Sequence, residues 1–268
     1  MENIDILTVI NQKNKKEILN LIKENGKFKT LSLFAQTLDK RAYVTLDSNG
    51  NLKRKEGNMI LPVFAFFNDP GILADSIIKY ADLKERQILD KIERFSNIDI
   101  EKIKENLIKT VFNGNIDFAK KYGKELFLRD RKAFFSLLGT FVTIGNSDSL
   151  KGLFLVAFNK LMEECEYEGN IFCLLISYIT KFRDNTSNYE NCQIKTYQAD
   201  DIKKMILNNK DVLNSTLGLG ILSNLYIVKN FDIPNKEKIL SKLAFEIENY
   251  QSLMPLSEEQ KQILELFL

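Results

Sequence analysis

The stretch DIEKIKENLIKTVFNGNIDFAKKYGKELFLRDRKAFFSLLGTFVTIGNSDS, residues 99–149, decides the fold. Apolar residues recur at spacings of three and four through Asp99–Phe112, Ile116–Phe127 and Asp130–Ile144, the period of helices that bury one face. Asp99, Asn115, Asp130 and Ser147 stand at the helix starts, where a side-chain oxygen accepts an otherwise unpaired backbone N–H. These caps fall 16, 15 and 17 residues apart. A helix and turn in that length make a helical hairpin about every 32 residues, the scale of α-solenoid repeats. A tetratricopeptide reading would centre on Leu138-Gly139, but Phe135, Val142 and Lys151 then stand where Trp, Tyr and a small Ala belong. The expectation is a mainly α chain of antiparallel helical hairpins, stacked as an irregular bundle or a repeat-like α-solenoid.

The same period continues through Ser147–Cys165 and Asn170–Phe182. Residues 183–199 are polar and aperiodic, the best border between subdomains. Beyond them come Asp201–Leu207, Val212–Val228, Lys236–Leu253 and a closing capping box at Ser257-Glu258-Glu259-Gln260. Toward the N-terminus, Leu83–Phe95 is helical, and Asp69-Pro70 places a cap before a proline at the first helical position. Tyr43-Val44-Thr45-Leu46, the turn signal Asp47-Ser48-Asn49-Gly50 and Leu52–Lys55 read as a hairpin, so a small β element is expected within residues 40–67. The apolar run Met59–Phe67 is either a third strand or the start of a buried helix. An opening helix, broken or paired, closes at Asn25-Gly26. The domains expected are residues 1–68, a helix with the β element, and 69–268, the helical domain.

This order of a helix, Tyr43–Leu46, a polar turn, Leu61-Pro62-Val63-Phe64 and a further helix resembles the N-terminal domain of the SseB-like family over residues 30–80. Where such a domain continues with apolar strands, residues 82–110 are charged and helical, and the resemblance implies no function here.

Composition narrows the chemistry. The chain of 268 residues is 44% hydrophobic and 28% charged, ordinary for a globular protein. It holds no histidine, which removes Ser-His-Asp triads, Cys-His pairs, HExxH zinc helices and imidazole proton shuttles from this chain. The net charge of +2 is too small to argue for a polyanion by itself, although residues 1–134 carry +6 and residues 135–268 carry −4. Cys165, Cys173 and Cys192 lack the pairing of a disulfide framework and the Cys-x-x-Cys of a zinc site, so a cytoplasmic location and no metal are expected. No leader pattern and no run approaching a membrane span is present, and no membrane partner is expected.

Several short patterns admit sharper readings and fail on spacing. Glu163, Glu164, Glu166 and Glu168 are carboxylates suited to a hard cation, but nothing orders them as ligands, and four anions near a helix C-terminus oppose its dipole. Asp47, Asn49 and Asn51 alternate like a calcium loop, yet Leu52 and Asn58 occupy its Gly and Glu positions. Ser76-Ile77-Ile78-Lys79 has the serine–lysine spacing of one nucleophile class without its companion motifs. Gly218-Leu219-Gly220 lacks a dinucleotide loop's third glycine and reads as close helix packing. No cofactor is expected.

One cluster rises above these. Lys120, Lys121, Lys124, Arg129, Arg131 and Lys132 stand against Glu125 and Asp130, with Tyr122 and Phe127 interleaved. It spans a helix end and the next helix start, so its charges can gather on one edge and dock an anionic partner. The expected function is a non-enzymatic protein-binding module, an adaptor, inhibitor or immunity-type binder, whose partner presents an acidic surface. The alternatives are nucleic-acid binding through residues 120–132 and a histidine-free enzyme working through Asp, Glu, Lys or Tyr.

Overall fold

The computed structural model describes residues 6–38, 43–46, 52–55, 58–82, 95–165, 167–181 and 185–268. The expected helix at Leu83–Phe95, the loop of Asp47, Asn49 and Asn51, and Glu166 lie wholly or largely outside them. Helices carry the fold, and no helix among the described residues is long and apolar enough to cross a membrane.

Contacts gather the chain into two compact units. One comprises residues 1–95 and 157–182, the other residues 96–156 and 183–268.

In the first unit, α1 (Ile6–Asn11) leads into α2 (Lys15–Phe34), capped by Asn14, whose side chain accepts the Glu17 N–H. Gly26 sits at φ +78, a left-handed value that costs other residues strain, and α2 bends there. Backbone of β1 (Tyr43–Leu46) and β2 (Leu52–Lys55) pairs antiparallel, with Tyr43 opposite Lys55 and Leu46 opposite Leu52. The β element expected over residues 40–67 is nonetheless corrected, because this short ladder makes no β layer and Ile60–Phe66 is helix α3. Ile60 to Ala65 are all buried, so the run has no alternation to support a strand, and Pro62 lies in the first turn, where its missing N–H costs nothing. Helix α4 (Pro70–Tyr80) starts as expected, with the Asp69 carboxylate accepting the Ile72 N–H at 3.0 Å. Helix α2 packs on α4 and α3, and α9 (Gly169–Lys181) packs on α2 and α3. Ile18, Leu31, Phe34, Phe64, Ile77, Phe158 and Phe172 fill the core, with Phe158 and Phe172 edge to face.

In the second unit, α5 (Ile100–Phe112), α6 (Ile116–Arg129) and α7 (Arg131–Ile144) follow the expected caps: Asp99 accepts from Glu101, Asn115 from Phe118 and Asp130 from Ala133. Connections of one to three residues turn each helix back along the last. Ser147 departs from its expected role. It opens a single 3-10 turn, Ser147–Ser149, and Leu150 is left-handed at φ 58 before α8 (Lys151–Glu164) begins. Helices α10 (Ser187–Asn191), α11 (Ala199–Asn208) and α12 (Lys210–Leu213) precede α13 (Thr216–Asn230). The single helix expected over Val212–Val228 is two, because Ser215 turns its hydroxyl to the Gly218 N–H and caps α13. Helix α14 (Lys236–Glu248) stops short of Leu253, and α15 (Glu258–Glu265) carries the expected capping box at Ser257 and Gln260. Helix α13 is buried almost all round, packed by α7, α11, α12, α14, α15 and the 3-10 turn, as a helix apolar on every face must be.

The glycines of α13 show how tightly it is held. A Cβ on Gly218 would stand 2.2 Å from the Val212 carbonyl oxygen, and one on Gly220 only 1.8 Å from that of Ser147. Both positions serve close packing.

Candidate functional site

Three places in the second unit gather groups capable of chemistry or binding. The first is a sealed polar cluster. Lys242 and Glu246, one turn apart on α14, pair at 2.9 Å with side chains 0% and 3% exposed. The Lys242 ammonium also donates to the Gly145 carbonyl at 2.5 Å and to Ser147 Oγ at 3.1 Å, which uses its three protons. Ser147 donates its hydroxyl to Glu246 Oε2 at 2.6 Å and its N–H to Oε1 at 3.2 Å. Asn224 Nδ2 donates to the same hydroxyl at 2.9 Å. Here a serine touches a lysine and a carboxylate, the ingredients of nucleophilic catalysis. The cluster is closed to solvent and the Lys242 ammonium and Ser147 hydroxyl are bonded throughout, so its effect is to pin the 3-10 turn against α13 and α14.

The second is a polar cavity of about 280 Å³ where Gln193, Lys195 and Tyr197 face Ser241, Phe245 and Glu248 of α14. The Lys195 N–H donates to Ser241 Oγ at 2.9 Å and ties that segment to the helix. Glu248 is its one lining carboxylate, so paired-carboxylate acid–base chemistry has no second partner there.

The third is an apolar groove of about 400 Å³ between α5 and α7. Lys104, Ile108 and Phe112 form one wall at intervals of four, and Ala133, Ser136, Leu137, Thr140, Phe141 and Ile144 the other, with Pro234 at the side. Phe112, 52% exposed, lies edge to face on Phe141 at 4.9 Å. The two hydroxyls in the wall are occupied: Ser136 donates to the Asp232 carbonyl and Thr140 to the Ser136 carbonyl. What the groove offers is apolar surface.

The predicted basic residues do not form one face of equivalent cations. Arg129 donates to the Ile98 carbonyl at 2.7 Å and pairs at 3.2 Å with Glu125, which also accepts the Ser96 N–H and hydroxyl at 3.0 and 2.7 Å. That arginine anchors the chain entering α5. Arg131 lies over the rings of Phe127 and Phe135. On α6, Lys121 stands over Phe118, which is 50% exposed and stacks on Tyr122 at 6.2 Å; Lys120 and Lys124 are half-buried on the same helix. Lys132 is exposed on α7, one turn before Ser136 on the stripe that lines the groove.

The remaining sequence candidates separate. Asn159 donates to Glu163, Lys27 lies 3.6 Å from Glu164 and the Ser32 hydroxyl donates to Glu168, so these three carboxylates turn to separate partners and gather no common site. Ser76 is buried, whereas Lys79 is exposed over Tyr80, and the two do not converge.

Sequence reasoning passed over Lys242, Glu246 and the groove, and both left a signal. In α14 the core-facing positions run Ile239, Lys242, Leu243, Glu246, Ile247, so two opposite charges occupy an apolar stripe. In α7 apolar residues surround the helix more widely than one buried face needs.

Protein-family models, curated proteins and solved structures give no match to this chain. The likeness of residues 30–80 to the SseB-like N-terminal domain is thus one of element order, and it is broken where α3 replaces the expected strand.

Proposed function

We propose that the second unit is a stoichiometric protein-binding module and that the α5–α7 groove is its docking face. The observation that carries this reading is the contrast between its sites: the cluster with catalytic ingredients is sealed and the polar cavity holds a single carboxylate, while the α5–α7 groove is open, apolar and has its hydroxyls already bonded. An exposed aromatic beside an apolar trough matches the way proteins anchor one another. The cations of α6 and Lys132 act in this reading as a field that speeds encounter with an acidic partner. Three unpaired cysteines support a reducing, cytoplasmic setting for the encounter.

The test is quantitative affinity capture from the native cell with wild type, Ile108→Glu and Leu137→Glu, each confirmed as folded by circular dichroism. Wild type retains a partner in near-stoichiometric amount and both variants lose it. Equal recovery by all three contradicts the proposal.

A further inference from the structure

The groove has a direction. Its α7 wall, Ala133 to Ile144, rises about 17 Å and its α5 wall about 12 Å at 1.5 Å per residue. Lining residues fall four apart on α5 and at Ala133, Leu137, Thr140 and Ile144 on α7. Rows of this spacing leave grooves that accept the ridges of another helix, and the length suits about three turns. With α6 turning back between them, α5 and α7 run the same way, which is why Phe112 on the last turn of one meets Phe141 near the end of the other.

Among the residues that line the groove, charge is confined to one end. Lys104 lines the groove where the two helices begin, and Lys132 opens α7 beside it, while Arg131 turns to the rings of Phe127 and Phe135. Against Lys104 and Lys132 stand Glu101, paired with Lys104 at 2.6 Å, and Asp130, whose carboxylate is held by the Ala133 N–H at the start of α7. From Ala133 to Ile144, α7 has no charged residue. At the far end Phe112, Phe141 and Ile144 are apolar, and Lys151, whose ammonium lies 5.1 Å from the Phe141 ring, is buried. Beside the groove, Asp232 and Lys236 flank Pro234 with one charge of each sign.

Resting on the reading of the groove as a docking face, we infer that its occupant is an amphipathic helix of a partner protein, about three turns long, carrying carboxylates at the end that meets Lys104 and Lys132. Apolar side chains at spacings of three and four fill the trough, and the acidic turn fixes the direction in which the helix lies. Reversal would set carboxylates against Phe112 and Ile144, where nothing compensates their desolvation.

Fluorescent synthetic helices of about 16 residues test this. Each has leucines at helical spacing on an Ala/Gln background, with a glutamate pair in the first or last turn, or lysines in the same places. One glutamate peptide binds wild type about tenfold more tightly than its lysine counterpart at about 50 mM salt, and the gap narrows by about 500 mM. Lys132→Glu shrinks or reverses the preference, and Leu137→Glu removes binding of all peptides. Equal binding of glutamate and lysine peptides overturns the acidic end and leaves the groove standing. Binding of none, with every variant folded, overturns the groove as well. A wild-type dimer that Leu137→Glu dissolves would assign the groove to a second copy and overturn the inference.

Discussion

Replacing Lys242 by methionine removes the cation of the sealed cluster while keeping much of its volume. Glu246 is then left 3% exposed without its 2.9 Å partner, and the Gly145 carbonyl and Ser147 hydroxyl each lose a donor. Breaking one side of a buried pair costs about 3–5 kcal/mol, because the surviving charge keeps its desolvation penalty. In a unit of this size that lowers its melting transition by about 6–20 °C. Scanning calorimetry of the full chain is the assay, since two compact units can unfold in separate transitions and only that of the second unit should move. The double variant Lys242→Met/Glu246→Leu should lose less than the sum of its single variants, by about 0.5–3 kcal/mol, because the second change removes the stranded charge. An unchanged transition in Lys242→Met, or additive losses in the double variant, refutes the reasoning.

Gly220→Ala places a methyl 1.8 Å from the Ser147 carbonyl oxygen, and backbone on both sides must shift; stability falls by about 1–3 kcal/mol or more in thermal unfolding. Arg129→Ala unties Glu125 and the Ile98 carbonyl and costs about 1–3 kcal/mol, but leaves affinity for the captured partner unchanged, which separates a structural cation from Lys132. Burial raises the Tyr167 hydroxyl above the usual tyrosine range, so on folding this group resists losing its proton. The contribution is fully present below the unfolded value of about pH 10 and is lost above it, as the unfolded chain ionises first; Tyr167→Phe should flatten that alkaline loss in a stability-against-pH series.

Much of the helical framework was legible because its signals are local. Asp69, Asp99, Asn115 and Asp130 cap the helices they precede, and the Ser257 capping box forms. Ser147 has the same local signature, but Glu246, 99 residues away, takes its hydroxyl, and no neighbour in sequence reports that competition. The apolar run at Met59 stays open between strand and buried helix because both are continuous apolar runs, and the helix is what forms. The basic cluster was legible as composition only. Whether an arginine faces a partner or, like Arg129, a carbonyl of its own chain depends on where Ile98 returns. The groove needs two helices side by side, although the half-exposed stripe of Ala133, Leu137 and Ile144 was present in the excess apolarity of α7.

The account turns on the α5–α7 groove, and methyl-resolved NMR tests it most directly. The chain, 31.0 kDa, is labelled at isoleucine and leucine methyls and titrated with the glutamate-ended helical peptide that binds it best. The methyls of Ile108, Leu137 and Ile144 should shift together along one saturable curve, while those of Ile206 and Ile263, buried in the same unit and outside the groove lining, stay in place. Saturable shifts confined to other methyls, or no shift at Ile108, Leu137 and Ile144 with every peptide tried, would contradict the assignment of this groove as the docking face.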